Sequence, residues 1–343
     1  MVKDIAKIDN SQYNTLIEQI GTLLVEGRRE ANRSVNNIMV QTYWGIGRYI
    51  VEFEQGGEVR AEYGKALISK LSKDLSNIYG KGFSRSNLFL IRQLYLKCPK
   101  IQTLSGKLSW SHYVELLNLD DLLEMNFYVA QCEREDWSVR ELKRQKKSLL
   151  FHRLAMSKDK EGVLELSRNG LEIQRAEDII KDPYVLEFIN LPQKERYLEG
   201  DIENQIIENL QSFLLEIGKG FAYIGRQYKI TIGGRHFYPD LVFYHAILKC
   251  YVIIDLKRGE IDHTAIGQMN LYLNYFRREV MSEGDNEPIG IVLGADKHDV
   301  IIEYALENIT NQLFVSKYQL YLPDKELLQR EVRKILEQEE SEV

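Results

Sequence analysis

Apolar residues recur every three or four positions from Tyr13 to about Leu150, as in "YNTLIEQIGTLLVEGRREANRSVNNIMVQTYWGIGRYIVEFEQ", with charges between them. That period is helical, because residues three and four apart share one face of a helix. Within the same stretch "FSRSNLFLIRQLYLKCP" reads as a helix capped by Ser84 or Ser86 and stopped by Pro99, while "LSWSHYVELLNL" and "WSVRELKRQKKSLLF" start two more. An all-helical domain is expected over residues 1–150. The pattern weakens over 151–198, where Pro183 and Pro192 interrupt it, and a connector with short helices is expected there.

The texture changes after Gly200. "DIENQIIENLQSFLLEIGKG" predicts one amphipathic helix ended by glycine, and "FAYIGRQYKITIGG" and "HFYPDLVFYHA" alternate as aromatic-rich strands. "KCYVIIDLKRG" is a strand with a near-continuous apolar run, "HTAIGQMNLYLNYFRREV" a helix, "PIGIVLGA" a short buried strand, "DVIIEYALENI" a helix and "QLFVSKYQLYL" a strand. A charged tail from Asp324 closes the chain as a helix. Helix, three strands, helix and strand make a compact α/β unit, expected over 199–343.

A length of 343 residues agrees with two domains. No stretch reaches the roughly 18–20 uninterrupted apolar residues of a membrane span, and "MVKDIAKIDNSQYN" lacks the apolar core of a secretory signal, so a cytoplasmic protein with no membrane partner is expected. Cys98, Cys132 and Cys250 have no paired zinc-site spacing and read as reduced thiols; His236, His245, His263 and His298 share no metal-ligand spacing either. "YWGIGRY" has too few glycines for a dinucleotide loop, and no phosphate-loop motif occurs, which argues against a nucleotide cofactor. The net charge of −6 excludes a chain coated in basic charge but not a nucleic-acid partner, because local patches grip a phosphate backbone.

Candidate chemistry lies in "YPDLVFYHAILKCYVIIDLKRG". Asp255 and Lys257 are two residues apart on a strand, so their side chains share a face and Leu256 points the other way. A hairpin about "HAIL" would set the strand carrying Asp240 antiparallel beside them; with an even loop Asp240 falls near Ile253, on the face of Asp255. Each piece alone reads as a strand-starting aspartate or a same-face ion pair. Together, two partly desolvated carboxylates need an offsetting charge, and Mg²⁺ (or Mn²⁺), which takes hard oxygen ligands, supplies one with help from the Leu256 backbone carbonyl. Lys257 would then serve the attacking water in phosphodiester hydrolysis. On the first helix of this half, Glu203 falls inside the arc of Ile202, Ile206, Leu210, Phe213, Leu214 and Ile217, and Glu208 on the polar side. Glu203 reads as a third acidic metal ligand over the sheet, weighed against a helix-start charge favoured by the dipole.

With Pro239, Asp240 and "DLK" in hand, the C-terminal half resembles the PD-(D/E)XK nuclease superfamily. That likeness implies a restriction-endonuclease-like α/β (α+β) core with a mixed central sheet, here preceded by the all-α domain. The whole chain is similar to the YhcG-type nuclease family through "YWGIGRYIVEFEQGGEVRAEYGKALISKLSKDLSNIYGKGFSRSNL", "LSWSHYVELL", "WSVRELKRQ", "FLLEIGKGFAYIGRQY", "DLVFY" and "GQMNLYLNY", from about residue 14 to 322. The resemblance implies Asp240 and Asp255 as metal ligands, Lys257 as catalytic lysine, Glu203 as the acidic residue of the first helix and Gln268 as the glutamine that orients phosphate or water. The family usually has glutamate where Asp255 stands; aspartate is one methylene shorter and equally a hard oxygen ligand.

Phosphate contacts are expected from Arg226, from Arg85 and Arg92 on a helix of helix-turn-helix type, and from Arg140, Lys143, Arg144 and Lys147 in "RELKRQKK", each weighed against an ordinary solvated face. The expected protein is a metal-dependent endonuclease that hydrolyses DNA in processing, recombination, repair or defence against foreign DNA. The alternatives are a catalytically weak nucleic-acid-binding or regulatory module, or an RNA-directed nuclease. A homodimer, or a protein partner bound through the helical domain, is compatible with either.

Overall fold

The computed structural model describes residues 10–55, 64–189, 199–297, 299–307, 309 and 312–337. His298 and residues 190–198 of the expected connector lie outside them. The chain divides into two compact units, Met1–Val139 and Arg140–Val343.

The first unit carries the helices that its periodicity requires: α1 (Asn10–Gln55), α2 (Gly64–Tyr79), α3 (Arg85–Lys97), α4 (Trp110–Leu116) and α5 (Leu122–Glu135). Ser84 caps α3, its hydroxyl accepting the Asn87 N–H at 3.2 Å, and the helix stops at Cys98 before Pro99. Leu88 and Ile91 of α3 pack with Ile50 of α1 and Ile68 of α2. The approach is close at Gly47, where a Cβ would stand 2.3 Å from the Ile91 carbonyl oxygen.

The second unit contains α6 (Val139–Lys147), α7 (Leu150–Ala155), α8 (Lys160–Asn169), β1 (Tyr184–Val185), α9 (Glu199–Glu208), α10 (Leu210–Ile217), β2 (Phe221–Arg226), β3 (Ile230–Ile232), β4 (Arg235–Phe237), β5 (Leu241–His245), β6 (Cys250–Ile261), α11 (His263–Tyr275), β7 (Ile289–Lys297), α12 (Asp299–Leu306), β8 (Gln312–Gln319) and α13 (Lys325–Glu337). Six strands form one sheet in the order β1-β8-β7-β6-β5-β2. The four from β1 to β6 run parallel to one another, and β5 and β2 join antiparallel, so the sheet is mixed. Ile202, Ile206 and Phe213 of α9 and α10 pack with Leu241, Phe243, Ile254 and Leu256 on one face. Ile266, Met269 and Leu273 of α11 pack with Val242, Ile253 and Val292 on the other. Burial on both faces explains the continuous apolar run of β6.

Two expected elements are divided. The helix after Gly200 breaks at Asn209, whose side-chain amide bonds the Gln205 carbonyl at 3.0 Å, a local bond of the kind that competes with helix propagation. The strand expected from Phe221 onward stops at Arg226; β3 and β4 form a separate hairpin that turns on Gly233 and Gly234, with φ of +54° and +76°.

A buried ionic cluster ties α6, α7 and β1 to α10. The Glu216 carboxylate, with no exposure, accepts from Arg153 Nη1 at 2.7 Å, Arg144 Nη2 at 3.3 Å and the Val185 N–H at 2.9 Å. Lys181 Nζ donates to the Glu216 backbone oxygen. Burial alone would raise the Glu216 carboxyl pKa, yet Arg153, Lys181 and Arg144 hold it below the usual carboxylate range. Removing one partner leaves a buried charge uncompensated. Arg153→Ala should therefore cost roughly 3–5 kcal/mol of unfolding free energy, read as a lower urea midpoint; a loss below about 1 kcal/mol would contradict this role for the cluster.

Candidate active site

The site is built by the turn between β5 and β6. His245 pairs with Cys250, leaving a four-residue loop, Ala246 to Lys249. Buried His245 shapes that loop: Nδ1 accepts the Leu248 N–H at 3.1 Å, which leaves the Nε2–H to donate to the Lys219 carbonyl, also at 3.1 Å. Burial lowers the His245 pKa, in keeping with a neutral ring. Gly220 gives the ring room, since a Cβ there would lie 2.8 Å from it.

The even loop sets the register, which pairs Leu241 with Ile254 and Val242 with Ile253. One step further along the ladder Asp240 faces Asp255. The expected neighbour of Asp240, Ile253, is therefore corrected: a four-residue loop aligns the two aspartates directly, on the α11 face of the sheet, where Val242 and Ile253 also lie. Past Lys257 the β6–β7 pairing slips by one residue, a bulge that ends the regular ladder beside the site.

Both Asp240 oxygens are held. Oδ2 accepts the Leu256 N–H at 2.7 Å and Oδ1 accepts from Gln227 Nε2 at 2.9 Å. Burial and the facing Asp255 push Asp240 up to about 7, and burial raises Asp255 as well. Lys257 Nζ lies 2.6 Å from Asp255 Oδ2, an ionic contact to a buried oxygen. Burial, the largest single effect, would lower the Lys257 pKa, but Asp255, Glu199 and Asp240 together outweigh it and the pKa rises. The side chain is an ammonium at neutral pH.

Glu203, 8% exposed, accepts from the same Gln227 Nε2 at 2.8 Å. Glu208 instead accepts from Gln205 on the exposed side of α9. The structure thus brings Asp240, Asp255 and Lys257 together and joins Glu203 to Asp240 through Gln227, so that Glu203, expected as a third metal ligand, does not cluster with the two aspartates closely enough to share an ion. Gln268 stands one step back, its amide donating to the hydroxyl of buried Tyr272, whose pKa is raised mainly by burial and further by the Asp255 charge. Sequence reasoning missed Gln227, Tyr272 and Glu199. Glu199 accepts the Arg258 N–H at 3.2 Å and acts electrostatically on both Asp255 and Lys257. The spacing of four between Gln268 and Tyr272 was the one available signal, since it places both on one helix face.

Among the described residues no three His, Cys, Asp or Glu side chains are close enough together to hold a metal ion. The donor set still fits a hard divalent cation: two facing carboxylates whose mutual charge needs an offset, one of them with a buried oxygen lacking a hydrogen bond. Such an ion keeps several waters and does not need an all-protein cage.

The expected phosphate contacts fare unevenly. Arg226 is exposed and donates to Asn204 Oδ1 at 3.0 Å; Arg85, at the start of α3, is exposed, as are Arg140, Lys143 and Lys147. Arg92 is paired with Glu54 at 2.7 Å. Arg144 is a correction, because it turns inward to the Val185 carbonyl, Glu187 and Glu216, and is committed to the buried cluster.

A mixed sheet of this order, with two aspartates facing each other and a lysine two residues further along β6, defines a restriction-endonuclease-like nuclease fold. Residues 177–333 match the YhcG PDDEXK nuclease domain, and residues 19–153 match the DUF1016 N-terminal domain. The chain is 38% identical over 352 residues to "Putative nuclease YhcG" of Escherichia coli (strain K12), covering 93% of each. Among solved structures, a repair endonuclease from Pyrococcus abyssi aligns with 38% of this chain and 50% of its own at 24% identity and a TM-score of 0.28. EndoMS in apo form aligns with 38% and 49% at 21% identity and a TM-score of 0.25. The chain belongs to the YhcG family of PDDEXK nucleases. No helix among the described residues is long and apolar enough to cross a membrane.

The raised carboxyl pKa values make the metal-free protein's stability depend on pH. The folded site binds a proton more tightly than the unfolded chain, whose aspartates titrate near 3.8, so that stabilisation is complete below that value and lost as pH rises through about 7. Thermal midpoints in chelator between about pH 5 and pH 8 should fall more steeply for the native chain than for Asp240→Asn. Parallel curves would contradict a buried, facing carboxyl pair.

Proposed function

We propose that this protein is a divalent-metal-dependent endonuclease that hydrolyses DNA phosphodiester bonds at the β5–β6 strand ends. The observation that carries this reading is the facing of Asp240 and Asp255 with the Lys257 ammonium 2.6 Å from Asp255. Asp240, Asp255 and the Leu256 carbonyl would hold Mg²⁺ or Mn²⁺, which supplies polarisation of a phosphate oxygen and a more acidic water.

The chain's own groups do the rest. The Asp240 carboxylate is oriented by the Leu256 N–H and the Gln227 amide, so one hydrogen bond reaches each of its oxygens. Lys257 carries its positive charge to where negative charge builds on the phosphoryl oxygens and donates to the attacking water. The water oxygen bonds to phosphorus as one P–O ester bond breaks, and the leaving sugar oxygen takes up a proton. A phosphomonoester and a hydroxyl end result. Gln268, which donates to the Tyr272 hydroxyl, would steady phosphate or water. Arg226, and in the helical unit Arg85, offer exposed cations for backbone contacts.

Asp240→Asn and Lys257→Ala should each lower Mg²⁺-dependent cleavage by at least about 100-fold while leaving the circular-dichroism spectrum native. Assays of linear, branched and single-stranded DNA beside RNA make the substrate class part of the result. Cleavage at the native rate by either purified variant would overturn the assignment of the site, and cleavage of RNA alone would overturn the choice of DNA.

A further inference from the structure

Gln227 follows β2 with φ of +47°, in the left-handed region that glutamine seldom adopts. A strained backbone persists where its surroundings hold it, and such positions cluster at working sites. The surroundings here are specific. The Gln227 N–H donates to the Asp240 carbonyl at 2.9 Å and the Tyr228 N–H to the Pro239 carbonyl at 3.1 Å, locking the turn against the residues that lead into β5. From that turn the side chain reaches two carboxylates at once, Glu203 Oε2 at 2.8 Å and Asp240 Oδ1 at 2.9 Å. Ionised carboxylates only accept, so the NH₂ end of the amide must face both, and both of its N–H groups are used.

We propose that Gln227 is a positioning residue for the cation site: its amide fixes the orientation of the Asp240 carboxylate and couples Glu203, on a different element, to that carboxylate. The role rests on the reading of Asp240 and Asp255 as cation ligands. Asp240 is gripped at both oxygens, by Gln227 and by the Leu256 N–H, so rotating the carboxylate breaks both bonds. Glu203 accepts a hydrogen bond from Gln227, and its negative charge raises the Asp240 pKa. A neutral double donor between two acids lets them approach without a proton or an ion between them. Glutamate at this position would add a third negative charge, and asparagine is one methylene too short to span the same two oxygens from the same backbone.

Partners of this kind, which orient a metal's ligands, typically change metal affinity by about 10–100-fold when removed. The test is Mn²⁺ binding to the full chain without nucleic acid, followed by electron paramagnetic resonance, for native protein, Gln227→Gly and Gln227→Met, with thermal midpoints in chelator alongside. Glycine suits the left-handed backbone and lacks the amide; methionine keeps the length and lacks the donors. Mn²⁺ affinity should fall by about 10–100-fold in both variants, with the Gln227→Gly midpoint within about 4 °C of native. Native Mn²⁺ affinity in folded Gln227→Gly would overturn the positioning role. So would affinity lost only in step with unfolding of that variant, which is the mark of a turn residue and nothing more. A native chain that binds no Mn²⁺ at millimolar concentration would instead remove the cation-site reading itself.

Discussion

Two carboxylates facing each other at the end of a buried hairpin repel, and the second unit is organised around holding them there. The pairing of Leu241 with Ile254 leaves Asp240 and Asp255 no choice of neighbour, and that pairing follows from a four-residue loop braced by a buried neutral histidine. Without metal, the repulsion is met by the Leu256 N–H, by the Lys257 ammonium and, as pH falls through about 7, by a proton on Asp240. A divalent cation would replace the proton and free the lysine. The same arrangement that is costly in the empty protein is what, on the proposed reading, would favour a cation.

A second charged cluster has a structural role. Glu216 is fully buried, but Arg153, Arg144 and Lys181 satisfy it, and it joins α6, α7 and β1 to α10. The two clusters differ in balance. Around Glu216 cations outnumber the acid and its pKa falls, whereas around Asp240 acids outnumber the cation and the pKa rises. Perturbation upward in a group of acids near a strand end marks a functional candidate; a satisfied ion cluster in the core marks architecture.

Asp240, Asp255 and Lys257 were legible because strand geometry is local: a period of two and an even loop suffice to put them on one face. Glu203 was legible from helical angle, although its partner was not. Gln227 was invisible because "GRQYKI" reads as continuous strand, and nothing in a glutamine announces a left-handed turn. The break at Asn209 was hidden by an apolar stripe that runs through both helices. In "RELKRQKK" the sequence shows a run of cations but not that Arg144 turns to a buried glutamate 72 residues away, a contact set by tertiary packing. Family likeness named the site residues that matched its motif, and geometry then separated the residues that meet from Gln268, which reaches the site only through Tyr272.

The Asp240–Asp255 pair is proposed as a cation site. Anomalous diffraction from crystals of the native chain grown with Mn²⁺ tests it most directly. A cation held there gives one strong anomalous peak within bonding distance of a carboxylate oxygen from each aspartate. The absence of a peak there at millimolar Mn²⁺, with an ordered Lys257–Asp255 ion pair in its place, would contradict it.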